Sequence, residues 1–332
     1  MTTTRVRRGL VLLGILAASG LPAHLSEYYR ALCADAVITG ILVLSLVVLT
    51  GLVGQISFCQ FSFAVLGALT VGCLTGGHGW SFWISLPLGV LLAAAAGVLV
   101  GLPALRLRGL FLAVLTVSVA LFFDRFVLEA GTWDAFTGGL LPWTPARPSI
   151  GPLHLDGEYA YYVFTLGVLL LSLLVVWNLR RSRAGRMLQA VRDSEVAAST
   201  LGIDVVAWKL TAFALSAALA GLAGGLMAVR LGSVSAGSYD FLHSVQLAAI
   251  ATVVGTGSLA SAPLGGALLV FFPVLLHQLQ LPVNLFPLIL GVALVAQIVL
   301  TPEGAVTRIE DVCGSLLRRR AARWRAGTTE AG

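Results

Sequence analysis

Apolar residues in this chain come in long continuous runs broken by short polar or glycine-rich joints, at about 9–23, 32–53, 55–75, 81–103, 109–130, 158–179, 207–229, 241–257, 260–280 and 283–301. A helix needs roughly 20 mostly apolar residues to cross a bilayer, and most of these runs meet that length. Walls of a membrane barrel would instead alternate apolar and polar positions, which these runs do not do. The pattern therefore predicts an all-α polytopic membrane protein with about ten (8–10) spanning helices. Only two joints are long: 131–157, and the polar, helix-competent stretch 180–206.

Composition agrees with that picture. Of 332 residues, 58% are hydrophobic and 11% charged, with a mean hydropathy of +0.95, so there is too little polar surface to cover a soluble fold of this size. Residues 1–305 form a transmembrane domain, and 306–332 a basic tail suited to anionic lipid. The net charge of +6 is divided by the apolar runs and does not form one stripe for nucleic acid; it reports topology. With the N-terminus inside, the inner joints collect Arg5, Arg7 and Arg8; Arg106 and Arg108; Arg180, Arg181, Arg183, Arg186, Arg192 and Lys209; and the arginines of the tail. Only Arg30, Arg125, Arg147 and Arg230 fall outside or within runs. The first run also has the shape of a signal peptide, and its removal would leave every later orientation unchanged.

The outer joint 131–157 carries Trp133, Trp143 and several prolines, a composition for turns and interfacial anchoring. Ala217, Gly221 and Gly225 recur every four residues, which lets a neighbouring helix approach closely. Val53-Gly54-Gln55-Ile56-Ser57 is echoed by Val254-Gly255-Thr256-Gly257-Ser258, each at an inner turn, and paired glycine-broken segments are a mark of transport sites.

Enzyme chemistry finds no support. There is no Ser/His/Asp set, no metal-spaced His or Cys pair, and no phosphate loop ending in Lys-Ser or Lys-Thr. Cys33, Cys59, Cys73 and Cys313 lack redox spacing, and His24, His78, His154, His243 and His277 are scattered. Neither a metal nor a directly bound cofactor is expected. Gln55, Ser57, Gln60 and Ser62 form a polar cluster at the start of a spanning run, where unpartnered amides would be costly. They face protein or a watery path, either lining a substrate route or bonding helix to helix. Asp124 and Arg125 lie late in the fifth run, near enough to its outer end to snorkel.

Within 180–206, Asp193 or Ser194 can cap a short helix running to Leu201, with Gly202 placed where a helix stops in the left-handed conformation. Ala197, Ala198 and Ser199 keep one side of it narrow. Such an element can insert into a groove on a soluble partner or lie at the interface as an ordinary helix.

Residues 192–203 followed by Lys209 to Gly224 resemble the permease subunit of branched-chain amino acid ABC importers of the LivM type. Gly54-Gln55-Ile56-Ser57 through Gly67-Ala68, 101–110, Trp133-Asp134-Ala135-Phe136-Thr137-Gly138-Gly139, Gly257-Ser258 to Leu268 and Pro302-Glu303-Gly304 agree in order, covering about 35–305. The resemblance implies that the short helix is a cytoplasmic coupling helix and assigns Arg192, Asp193, Glu195, Ala198 and Gly202 to ATPase contact. It implies a second permease, two ATP-binding cassette ATPases that hydrolyse the ATP, and an extracytoplasmic solute-binding protein, in a bacterial inner membrane. The implied solute is leucine, isoleucine or valine, or a related small solute such as urea or an amide. Two departures stand out: Cys59-Gln60 replace a Gly-His, which removes a titratable group, and Gly255-Thr256-Gly257 shortens a Gly-Gly-x-Gly. The alternative is a stand-alone secondary transporter or channel, which usually needs intramembrane coupling charges that are sparse here.

Overall fold

The computed structural model describes residues 25–107, 109–129, 157–233, 239–282 and 285–300, with Pro22 and short pieces between 144 and 154. The first predicted run, most of the outer joint and the basic tail lie outside the described residues. Eleven helices are seen among the described residues: α1 (Glu27–Val48), α2 (Gln60–Val71), α3 (Phe82–Ala104), α4 (Leu110–Phe122), α5 (Glu158–Arg181), α6 (Arg183–Asp193), α7 (Glu195–Thr200), α8 (Val205–Leu231), α9 (Phe241–Val254), α10 (Ser261–Gln278) and α11 (Leu285–Leu300). Wider π-type turns extend α1 over Leu49–Val53, α2 over Gly72–Gly77 and α4 over Phe123–Glu129. Ser149–Ile150 pairs antiparallel with Leu153–His154.

Among the described residues, six of these helices are long and apolar enough to cross a membrane; the first of the ten predicted runs lies outside them. The run at 241–257 yields only the short α9, because Gly255 turns the chain with φ +100°. The run at 283–301 gives the 16-residue α11. The run at 55–75 becomes helical only from Gln60, since the Ser57 hydroxyl takes the Cys59 amide hydrogen (3.4 Å) that a helix would use.

The buried centre is α1. In its most apolar stretch 89% of the residues are buried, against 28% in those of α3 and α10, so the latter two form the apolar outer wall. α8 lies along α3, α2 and α1, while α1 also packs on α10 and α5. Small residues permit this. A Cβ on Gly67 would collide with the Gly221 carbonyl, and one on Gly224 with the Ala64 carbonyl, so α2 and α8 cross backbone to backbone. The Ala217–Gly221–Gly225 stripe faces α3: Gly97 meets Ala217, Gly221 meets Ala93 and Gly225 meets Leu86.

α1 and α10 run antiparallel. The Gln278 amide donates to the Tyr29 hydroxyl (3.0 Å) at one end, and Gly51 lies against the Thr256 carbonyl at the other. α2 and α10 both start well inside the bundle. Gln60 reaches Ser45, which is about 12 Å from the arginine-rich end of the extended α1 at 1.5 Å per residue. The Ala262 carbonyl lies 3.2 Å from where a Cβ on Gly40 would sit. Residues 55–59 and 256–260 therefore climb from the bundle's arginine-rich end to these helix starts.

Candidate functional site at the arginine-rich end

α5 ends in Arg180 and Arg181, and three caps then turn the chain through two short helices into α8. Ser182 accepts from Gly185 N (3.3 Å) to open α6. Ser194 accepts from Ala197 N (3.2 Å) to open α7. Asp204 accepts from Ala207 N (3.1 Å) to open α8. Each cap fills a backbone donor that the first helical turn leaves unpaired. Between the last two caps, Gly202 takes φ +79° and Ile203 N returns to the Ala198 carbonyl (3.1 Å), the left-handed stop that glycine favours. The short helix predicted before Gly202 is thus present, with Ser194 as its cap.

Its inward face is fastened to the bundle. α6 buries Gly185, Leu188 and Val191, and α7 buries Ala198. Glu195 forms an ion pair at 2.6 Å with Lys209, whose side chain is 4% exposed. Arg192 donates from a guanidinium nitrogen to the Gly51 carbonyl on the extended α1. Three residues of the predicted contact set, Arg192, Glu195 and Ala198, are therefore engaged with the chain's own bundle, while Asp193 and Gly202 are exposed. The outward face also presents Val196, 69% exposed, and Leu201, 78% exposed. Neither was singled out from the sequence; for Val196 the available signal was its place on the side of a capped helix opposite Ala198.

Deeper in, the polar cluster divides. Gln60, Ser45 and Ser216 are fully buried. The Gln60 amide donates to Ser216 Oγ (3.1 Å), Ser216 donates to the Ser45 carbonyl (2.8 Å), and the Ser45 hydroxyl lies between the Leu42 carbonyl (2.6 Å) and Gln60 Oε1 (3.1 Å). Gln60 thereby pins α1, α2 and α8 together. Ser45 and Ser216 escape sequence reasoning because a lone serine in an apolar helix usually bonds its own backbone. Ser57 is spent on the turn before α2, and Ser62 is buried. Gln55 is buried in the climb, and its Oε1 has no hydrogen-bond partner among the described residues. The backbone donors at the start of α2 are met from two other helices: Phe58 N donates to Thr116 Oγ1 (3.2 Å) and Phe61 N to Ser244 Oγ (3.2 Å). Asp124 is buried and Arg125 exposed on the π-type turn after α4. Among the described residues no three His, Cys, Asp or Glu side chains converge as a metal site.

The family of branched-chain amino acid transport system permease components matches residues 28–298. The chain belongs to that family. Among relatives, the high-affinity branched-chain amino acid transport system permease protein LivM of Escherichia coli K12 is 34% identical over 295 residues, covering 80% of this chain and 66% of the relative. LivM of Salmonella typhimurium is 32% identical over 331 residues, covering 90% of this chain and 75% of the relative. The autoinducer 2 import system permease protein LsrC of Enterobacter sp. is also 32% identical, over 88% of this chain and 83% of its own length. No solved structure matches. The match to the family contains every helix from α2 to α10 and so includes the capped element and both inner turns.

Proposed function

We propose that this chain is a permease subunit of an ATP-driven importer, and that the outward face of α6 and α7 is where partner ATPases dock. The observation that carries this reading is the pair of short helices α6 and α7, the second capped at both ends, fastened inward by Arg192, Glu195 and Ala198, and presenting Asp193, Val196, Leu201 and Gly202 outward. A docking element has to be rigid toward the bundle and open toward the partner, and this one is both. ATP binding and hydrolysis belong to two ATP-binding cassette partners; a second permease and an extracytoplasmic solute-binding protein complete the assembly in a bacterial inner membrane.

The solute proposed is a branched-chain amino acid, on the strength of the two LivM relatives. The LsrC relative supports a second reading in which the solute is autoinducer 2. The climb through Gln55 and Ser57, ending at the buried start of α2, is proposed to border the solute path, because it carries an unpaired amide oxygen and the only irregular backbone described between α1 and α2. Gln60 and Ser62 stand behind it, with Gln60 holding the three helices around it.

Purification of this chain from its native membrane in mild detergent, followed by mass spectrometry, tests the assembly. Recovery of a second permease and two ATPases is expected, with loss of the ATPases on L201E or V196E. A chain recovered alone that still transports in liposomes without ATP would overturn the reading in favour of a secondary transporter or channel.

A further inference from the structure

The two turns at the arginine-rich end are built alike. The extended α1 stops at Gly54 with φ +74°, and α9 stops at Gly255 with φ +100°. Ser57 then accepts from Cys59 N (3.4 Å), and Ser258 accepts from Ala260 N (3.1 Å). Directly after each of these serine turns a helix begins, α2 at Gln60 and α10 at Ser261. The faint sequence echo is thus a repeated device that starts a helix inside the bundle.

Each turn is also held by one arginine from the segment leading into or forming the docking element. Arg192, near the end of α6, donates to the Gly51 carbonyl, and its Cγ lies 3.2 Å from where a Cβ on Gly54 would sit. Arg180, at the end of α5, donates to the Gly257 carbonyl (2.8 Å) and the Thr256 carbonyl (3.4 Å). The two grips meet at Gly51. A Cβ there would collide with the Thr256 carbonyl and stand 3.2 Å from the Arg180 guanidinium.

We propose that Arg180 and Arg192 are positioning residues that carry displacement of the docking element to both turns, so that the starts of α2 and α10 move together. This rests on the reading that ATPases dock on α6 and α7. Carbonyls at helix ends and turns lack helical partners, and bonds from a guanidinium to them are charge-assisted and directional. Backbone contact at Gly51 leaves no compliant side chain between the turns, so a shift of one is passed to the other. Sequence resemblance assigns Arg192 to ATPase contact; the geometry gives this exposed side chain a bond to the Gly51 carbonyl and adds Arg180, which no motif marks.

The test uses the full complex in proteoliposomes, with ATP hydrolysed per solute taken up as the readout and ATPase co-purification measured in parallel. R180A is expected to retain the ATPases and raise that ratio about tenfold to a hundredfold, the equivalent of one charge-assisted bond. R180K is not expected to restore it, since one ammonium cannot hold two carbonyls in the guanidinium's fork. R192A is expected to raise the ratio in the same way, and R192K to recover most of it, since a single bond is to be replaced. G51A, which pushes the turns apart, should resemble R180A. A wild-type ratio in R180A, or in R192A should R180A fail to accumulate, with the ATPases still bound, overturns the proposal alone. Failure of the ATPases to co-purify with the wild-type chain removes the docking reading and the proposal with it.

Discussion

Glycine positions in this bundle are not interchangeable, and the neighbours of each decide which substitutions it bears. Gly67 and Gly224 face backbone on a crossing helix, whereas a Cβ on Gly291 of α11 would meet nothing within 4 Å. G67A or G224A is therefore expected to destabilise the chain by about 1–3 kcal/mol through overpacking, seen as an earlier thermal unfolding transition in detergent, while G291A leaves the transition where it is. Gln60 belongs to the same scale. Q60L leaves the Ser45 and Ser216 hydroxyls without their amide partner, a loss of about 1 kcal/mol for an interhelical bond in a membrane protein. An unchanged transition in Q60L would show that the three-helix pin contributes no stability.

At the scale of an element, α7 is too short to persist on its own; its caps and its seat hold it. Glu195 neutralises Lys209, which is 3% exposed. E195K sets a second cation against that buried ammonium, at a cost of several kcal/mol, and is expected to abolish ATP-coupled uptake while membrane insertion is retained. G202V forces a β-branched residue into a left-handed stop and should act likewise, whereas S194A removes one cap, worth about 1 kcal/mol, and should only lower uptake. Normal uptake by well-expressed E195K would remove the role given to this helix. The capping chemistry was legible in the sequence because it links residues within one turn: Ser194, Ala197 and Gly202 all lie in one short window. What α6 and α7 turn toward their own bundle was not legible, since Gly51 and Lys209 lie on other elements.

For the whole molecule, the opposite end is tied by charge. Arg230 of α8 lies 3.4 Å from Asp35 of α1 and 3.7 Å from Glu158 of α5; Glu158 also pairs with Arg147, whose guanidinium lies 5.9 Å from the centre of the Tyr161 ring. Three helices are thereby joined at this end, while the two arginine grips join the turns at the arginine-rich end. E158Q, which leaves Arg230 and Arg147 with one carboxylate fewer between them, is expected to lower the unfolding temperature of the purified complex. Repeating the scan in high salt should narrow that difference, because partly exposed pairs are screened; an equal transition at both ionic strengths would mean the network is not holding this end.

Helical class and caps were determined by the sequence itself, because each depends on neighbours along the chain. The tertiary structure decided which helix is central. α1 and α3 are both strongly apolar, with hydropathies of 2.7 and 2.2, yet one is the core and the other the wall; lipid and protein interior are similarly apolar, so hydropathy does not separate them. It also decided that α2 and α10 begin inside the bundle and that Arg180 and Arg192 face its inner turns. Those outcomes depend on contacts between residues as far apart as Gly51 and Arg192, which no local pattern encodes.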